Sequence, residues 1–160
     1  KDLIGVPWRL AFELQKRGWI LRSDIIWAKL NPMPESCTDR PTMSHEYLFL
    51  FAKNQKYYYD HESIMEQTIG TEYAKRNKRD VWNIKVASYP EAHCATFPME
   101  LITPCIKAGS PEGGLVLDPF MGSGTVAQAA KQLSRSYTGC ELNPDYYKII
   151  NNRLKQQELF

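Results

Sequence analysis

The sequence has little with which to build several common kinds of protein. Its four cysteines, Cys37, Cys94, Cys105 and Cys140, are scattered and form no Cys-x-x-Cys pair. That spacing argues against a zinc site or a disulfide framework, so no metal is expected and reduced thiols in a cytoplasmic protein are. No apolar run approaches the length of a bilayer span and no secretory signal peptide is visible, so no membrane partner is expected. No internal repeat stands out. Charge of either sign is close to balanced, at a net +2 over 160 residues, so only its distribution can say anything about nucleic acid. The length suits one domain with a real core, and not two large ones. Two phosphate-binding signatures are also missing. No Gly-Lys-Ser/Thr closes a phosphate-binding loop, and Gly122 and Gly124 lack the third glycine of the dinucleotide fingerprint.

What is present centres on Leu115–Thr125 and its continuation to Pro144. A short apolar run, Leu115 to Leu117, ends in Asp118, and a turn with Gly122 and Gly124 follows. Thr125 to Leu133 is rich in helix formers, and a second short run, Ser136 to Cys140, ends in Glu141. The order strand, glycine turn, helix, strand is a βαβ unit. Glycines let the backbone turn sharply and let a ligand approach closely. Thr125 is a candidate helix cap, and the free amides of the first helical turn would face the same ligand. Glu141 stands at the tip of the second strand, roughly twenty residues on, where an acid accepts hydrogen bonds from ribose hydroxyls in nucleoside-binding α/β folds. The pattern favours a nucleoside ligand without a pyrophosphate.

Elsewhere, Leu3, Val6, Leu10 and Leu14 recur at helical spacing, with Asp2 as a candidate cap and Gly18 as the stop. Trp19 to Lys29 alternates in part and predicts a strand ending in Ile25-Ile-Trp27, and Glu46 to Lys53 predicts a second, with Tyr57 to Tyr59 extending the sheet or lining a groove. Asn31 to Pro41 is a proline-rich loop carrying Arg40, with His45 just after it. Ala74 to Arg79 is the most basic segment. There Lys75, Arg76, Lys78 and Arg79 are either a solvated surface or phosphate contacts that position a duplex without reading it. Asp80 to Ile84 predicts a short strand. Pro98 opens a helix ended by Gly109, which Pro104 should bend or weaken. A closing helix begins near Asn143 or Pro144.

Asp118-Pro-Phe-Met-Gly-Ser-Gly-Thr125 and Glu141-Leu-Asn-Pro-Asp-Tyr146 resemble the S-adenosylmethionine-binding motifs of bacterial DNA amino-methyltransferases, enzymes that methylate the exocyclic amino group of cytosine or adenine. His93-Cys-Ala-Thr-Phe-Pro98 resembles the cofactor motif that precedes the glycine turn in that family, and Asn31-Pro-Met-Pro34 with Asp39-Arg40 and His45-Glu-Tyr47 resembles its loop beside the DNA cleft. The resemblance implies a Rossmann-like α/β fold with a mixed sheet. It implies that Phe120, Gly122, Ser123 and Gly124 cradle the methionine end of S-adenosylmethionine, with Thr125 a further cofactor-binding candidate. Asp118 would orient nearby backbone or the methionine amine, Glu141 would hold the ribose, and Phe97 and Pro98 would wall the pocket, with Phe97 a better candidate for contact than His93. Arg40, His45, Lys75, Arg76, Lys78 and Arg79 become candidates for contact with double-stranded DNA. Residues 1–160 would form a single methyltransferase-like domain, with a short DNA-recognition insertion over 60–90.

The family's Ser/Asp-Pro-Pro-aromatic tetrapeptide, which accepts the amino protons of the base and stacks on it, occurs nowhere in the 160 residues. In this motif order it should precede Lys1, and its strand and the next belong between the Leu115 strand and the Ile25/Phe49 pair. The expected sheet therefore lacks central strands, and its catalytic residues are unknown. A second chain or segment that completes the sheet and a homodimer both stay open, as does a non-catalytic nucleoside- or nucleic-acid-binding module. A nicotinamide oxidoreductase is disfavoured by the absent third glycine.

Overall fold

Pro7 decides where the chain first becomes helical. Proline is tolerated only in the first turn of a helix, so a helix begun at Asp2 would set its ring against a carbonyl one turn back. In the computed structural model, which describes residues 2–68, 70, 74–86 and 96–155, helix α1 accordingly spans Val6–Lys16, and Gly5, at φ 62°, takes the cap position expected of Asp2. Strands β1 (Ile20–Lys29) and β2 (His45–Ala52) follow, then a 3-10 turn at Glu62–Ile64 and the short strands β3 (Glu66–Gln67), β4 (Lys75–Arg76) and β5 (Val81–Ile84). Helix α2 (Met99–Gly109), strand β6 (Leu115–Asp118), helix α3 (Thr125–Gln132), strand β7 (Ser136–Gly139) and helix α4 (Pro144–Lys155) complete the order. His93 and Cys94 lie outside the described residues.

The chain divides into two compact units: Lys1–Tyr57 with Arg79–Lys85, and Tyr58–Lys78 with Val86–Phe160. The first holds a mixed sheet of order β2-β1-β5. β2 runs antiparallel to β1 from Ile20↔Ala52 to Ala28↔His45, and β5 runs parallel to it from Ile26↔Val81 to Lys29↔Ile84. Alternation sends Tyr47, Phe49 and Phe51 of β2 to one face. The Trp8 ring of α1 stands edge-on to Tyr47 and Phe49, at 5.7 and 5.0 Å between centroids. Trp27, Trp82 and Ile84 are buried, and the Trp27 indole donates to the Ile84 carbonyl across 2.9 Å, so its polar atom is satisfied inside the core. Tyr57–Tyr59 does not extend the sheet. Tyr57 instead accepts a hydrogen bond from Arg22 Nε at 3.0 Å and lies under its guanidinium.

In the second unit β6 and β7 pair in parallel from Leu115↔Ser136 to Asp118↔Gly139, with α3 between them in sequence. Ile106, Val126, Ala129 and Ala130 are its buried core, backed by Met99, Ile102, Val116 and Leu133. The small residues of α3 let it lie close to the strands. α2 runs through Pro104 to Gly109, the expected end, because Leu101, Ile106 and Ala108 are buried on either side of the missing amide and hold the helix by packing. The basic segment is not a plain loop either. Lys75 and Arg76 form β4 antiparallel to β3, with Arg76 ion-paired to Glu66 at 2.9 Å.

Among the described residues no ladder joins β6–β7 to β2-β1-β5. Leu115 and Leu117, which share one face of β6, are 66% and 65% exposed. That face has no covering layer among the described residues.

Candidate functional site

The turn after β6 is held by backbone donors and carboxylate acceptors, and the order of residue types explains it. Asp118 ends the strand, and its Oδ1 accepts the Phe120 amide at 3.0 Å, a side-chain turn that starts the reversal. The Met121 amide donates to the Cys140 carbonyl and the Gly124 amide to the Met121 carbonyl, at 2.9 and 2.8 Å. Gly122 and Gly124 sit at φ 51° and 81°, in the left-handed region that side chains disfavour. Gly124, and not Thr125, caps α3, because the tight reversal needs a glycine at that point. Thr125 becomes the first helical residue.

Glu141 closes the turn from the tip of β7. Its Oε2 accepts the Gly122 amide at 2.7 Å and its Oε1 the Asn143 amide at 2.8 Å. The Tyr147 hydroxyl donates to its carbonyl at 2.9 Å. The Asn143 amide foremost holds its carboxyl below the usual range; desolvation, next in size, opposes it, and the Gly122 and Leu142 amides add smaller lowering effects, so it is anionic at neutral pH. A carboxylate has roughly four acceptor positions, so lone pairs remain on both oxygens for further donors.

Phe97, Phe120, Gly122, Ser123 and Thr125, all expected at the site, line a pocket of about 100 Å³. Thr96, Met121 and Tyr146 line it too and were not singled out from sequence. A Cβ on Gly122 would meet no protein atom nearer than 4.0 Å, so its bare side is open space. A Cβ on Gly139 would fall 2.3 Å from Met121 Cγ and 2.6 Å from the Asp118 carbonyl, so Met121 can fold over the end of β7 only because that residue is glycine. Pro98 does not line the pocket. It is buried at the cap of α2 and accepts the Leu101 amide, which fixes the position of Phe97 beside it. Asp118, Gly124 and Glu141 are not among the residues lining this pocket; Asp118 and Glu141 act on the turn through the bonds given above.

Helix α4 braces the turn. Ile150 Cγ1 lies 3.2 Å from where a Gly124 Cβ would stand. Arg153 Nη1 donates to the Ser123 carbonyl, Ser123 Oγ and Thr125 Oγ1 at 3.2, 3.0 and 3.2 Å. Tyr146, Ile150 and Arg153 fall at i, i+4 and i+7 on α4, a spacing that marks one helical face and was the available sequence signal for this support.

The candidate DNA residues fall in both units, Arg40, His45 and Arg79 in the first and Lys75, Arg76 and Lys78 in the second. Arg40 is ion-paired to Glu35 at 2.6 Å within its own loop, and the His45 ring stands edge-on to Tyr47 at the start of β2. Lys75 is exposed, Arg76 is bound to Glu66, Lys78 is half-buried and Arg79 is exposed. Among the described residues no cluster of His, Cys, Asp or Glu could hold a metal ion, and no helix is long and apolar enough to cross a membrane.

The geometry is that of an α/β unit with a pocket at its glycine turn and an acid from the next strand fixing that turn. Residues 4–152 match the family described as DNA methylase, and the chain belongs to that family. It is 55% identical over 158 residues to the type II methyltransferase M.Cfr9I of Citrobacter freundii, covering 99% of this chain and 52% of that protein. It is 54% identical over 154 residues to the type II methyltransferase M.SmaI of Serratia marcescens, covering 96% and 53%. The chain thus spans about half the length of the curated relatives it matches. The solved M1.HpyAVI–SAM complex shares its fold, with a TM-score of 0.71 and 26% identity over 96% of this chain and 71% of that one.

Proposed function

We propose that this chain is the cofactor-binding portion of a DNA methyltransferase that transfers a methyl group from S-adenosylmethionine to the exocyclic amino group of cytosine or adenine in double-stranded DNA. The observation that carries the reading is Glu141, an anion fixed on the Gly122 and Asn143 amides with acceptor capacity left for ribose hydroxyls. The methyltransferase relatives and the SAM complex of the structural neighbour support it.

The residues fit such a ligand. Gly122 presents its bare side to open space, Phe97 and Phe120 offer apolar walls, and the Ser123 and Thr125 hydroxyls offer polar contacts in a pocket that all five line. When bound, the cofactor supplies a methyl group already activated on a sulfonium, so the protein's part is alignment. Glu141 holds the ribose by charge-assisted hydrogen bonds, and the turn fixes the amino-acid end. Lys75, Lys78 and Arg79 contact phosphates, with Arg76 held in place by Glu66. The bare face of β6 is covered by a further segment or chain that also brings the acceptor for the amino protons of the base.

The 160-residue chain on its own therefore binds adenosylmethionine or adenosylhomocysteine, leaves NAD unbound and transfers no labelled methyl to mixed-sequence DNA. A fragment bearing a Ser/Asp-Pro-Pro-aromatic segment restores transfer. Turnover by the chain alone would place an acceptor within these residues, with Asn31–Glu35 the first loop to mutate. Absence of cofactor binding would leave only a nucleic-acid-binding module.

A further inference from the structure

Arg153 and the glycine turn are about thirty residues apart in sequence, yet one guanidinium nitrogen meets three oxygens of the turn. A guanidinium only donates, so each oxygen is an acceptor there, and the N–H bonds of Nη1 are shared among them. Ser123 and Thr125 are each only 4% exposed, and both line the pocket. A hydroxyl whose lone pair is taken by a cation keeps its own proton to give. Among the described residues neither hydroxyl donates to a protein acceptor. The pocket end that they line is therefore a pair of O–H donors backed by a fixed positive charge.

We propose that Arg153 is a positioning residue that sets this polarity, turning Ser123 and Thr125 into donors for the carboxylate of an amino-acid-bearing nucleoside. The inference rests on the cofactor reading above and deepens it by assigning the group that selects the amino-acid end. A purely structural brace would act differently. Ile150 against Gly124 and the Lys131 bond to the Leu154 carbonyl, at 3.2 Å, already hold α4 to the turn and to α3. A role confined to bracing would weaken every nucleoside alike, whereas a polarity role affects only ligands that carry the carboxylate.

The test is calorimetric titration of the 160-residue chain with adenosylhomocysteine and with 5′-methylthioadenosine, which shares the nucleoside and lacks the amino acid. Arg153→Met should lose about tenfold or more in affinity for adenosylhomocysteine and change by less than about twofold for methylthioadenosine. In a Ser123→Ala/Thr125→Val background the same substitution should have no further effect on adenosylhomocysteine. Equal losses for the two ligands, unchanged affinity for both, or full additivity would each overturn the proposal. If Arg153→Met does not fold by circular dichroism, Ser123→Ala/Thr125→Val carries the test, since it should show the same selectivity. A wild-type chain that binds neither nucleoside overturns the cofactor reading itself, and the polarity proposal with it.

Discussion

The sheet of the first unit and the glycine turn of the second are held together in different ways. The β2-β1-β5 sheet is ordered by apolar burial: Trp27, Trp82 and Ile84 are buried, and Trp8 leans on the Tyr47–Phe49 row. The glycine turn is ordered by polar bonds of 2.7 to 3.2 Å running from Asp118, Glu141 and Arg153 to backbone and hydroxyl groups. Burial is non-directional and tolerates exchange among shapes of similar volume. A hydrogen-bonded turn depends on individual atoms. The first unit should thus respond to substitution through stability, and the second through binding.

The sharpest way to break that contrast is Trp27→Ala. Removing a buried indole should destabilise the chain by about 3–5 kcal/mol, measured by thermal or denaturant unfolding. A loss confined to ligand affinity, with stability unchanged, would show the first unit to be part of the site.

Gly139→Ala comes next. Its methyl would collide with Met121 and with the Asp118 carbonyl, and the backbone oxygen cannot step aside. Overpacking of this kind costs about 1–3 kcal/mol, and because it displaces Met121, which lines the pocket, adenosylhomocysteine affinity should fall with it. Normal affinity in a destabilised variant would uncouple Met121 from the site.

These two residues also mark what could be seen in the sequence. The β6–turn–α3–β7–Glu141 unit was legible because its signals are local: apolar runs, two glycines one residue apart and an acid at the strand tip. Gly139 gave no such signal, since its constraint is a side chain that reaches it from Met121 in the turn. The cap of α3 was misplaced by one residue because Gly124 and Thr125 are both cap-forming types and only the tightness of the reversal separates them. The pairing of Arg76 with Glu66 and the donation from Arg153 were hidden because they join residues 10 and about 30 positions apart.

A segment outside the β2-β1-β5 sheet and the glycine turn gives a smaller effect. Replacing Lys75, Arg76, Lys78 and Arg79 together should weaken binding to all DNA sequences and flatten its dependence on salt, by a slope of about 0.9 for each phosphate that these side chains neutralise. Filter-binding at several salt concentrations measures this. Weakening for one sequence only would mean that these side chains read bases.

The smallest expected effect is a shift on the pH axis. The Glu141 carboxyl is depressed in the folded chain by the Asn143 amide first and by those of Gly122 and Leu142 after it. A depressed folded value means that its contribution is present above the unfolded value and is lost only as pH falls through the lower folded one. The Gly122 amide resonance, followed by NMR, should therefore titrate below the ordinary glutamate range of about 4.3. A midpoint at or above that range would remove the Gly122–Glu141 bond from solution.

The ribose-binding role proposed for Glu141 has a further consequence for the kinetics of recognition. An acid waiting in many rotamers must be immobilised when a sugar arrives, and that lost freedom would count against the complex. Here the rotamer is already chosen by the backbone during folding, at both carboxylate oxygens. Encounter then requires only that the incoming molecule give up its own motion, so association should be a single step with no slower conformational phase behind it.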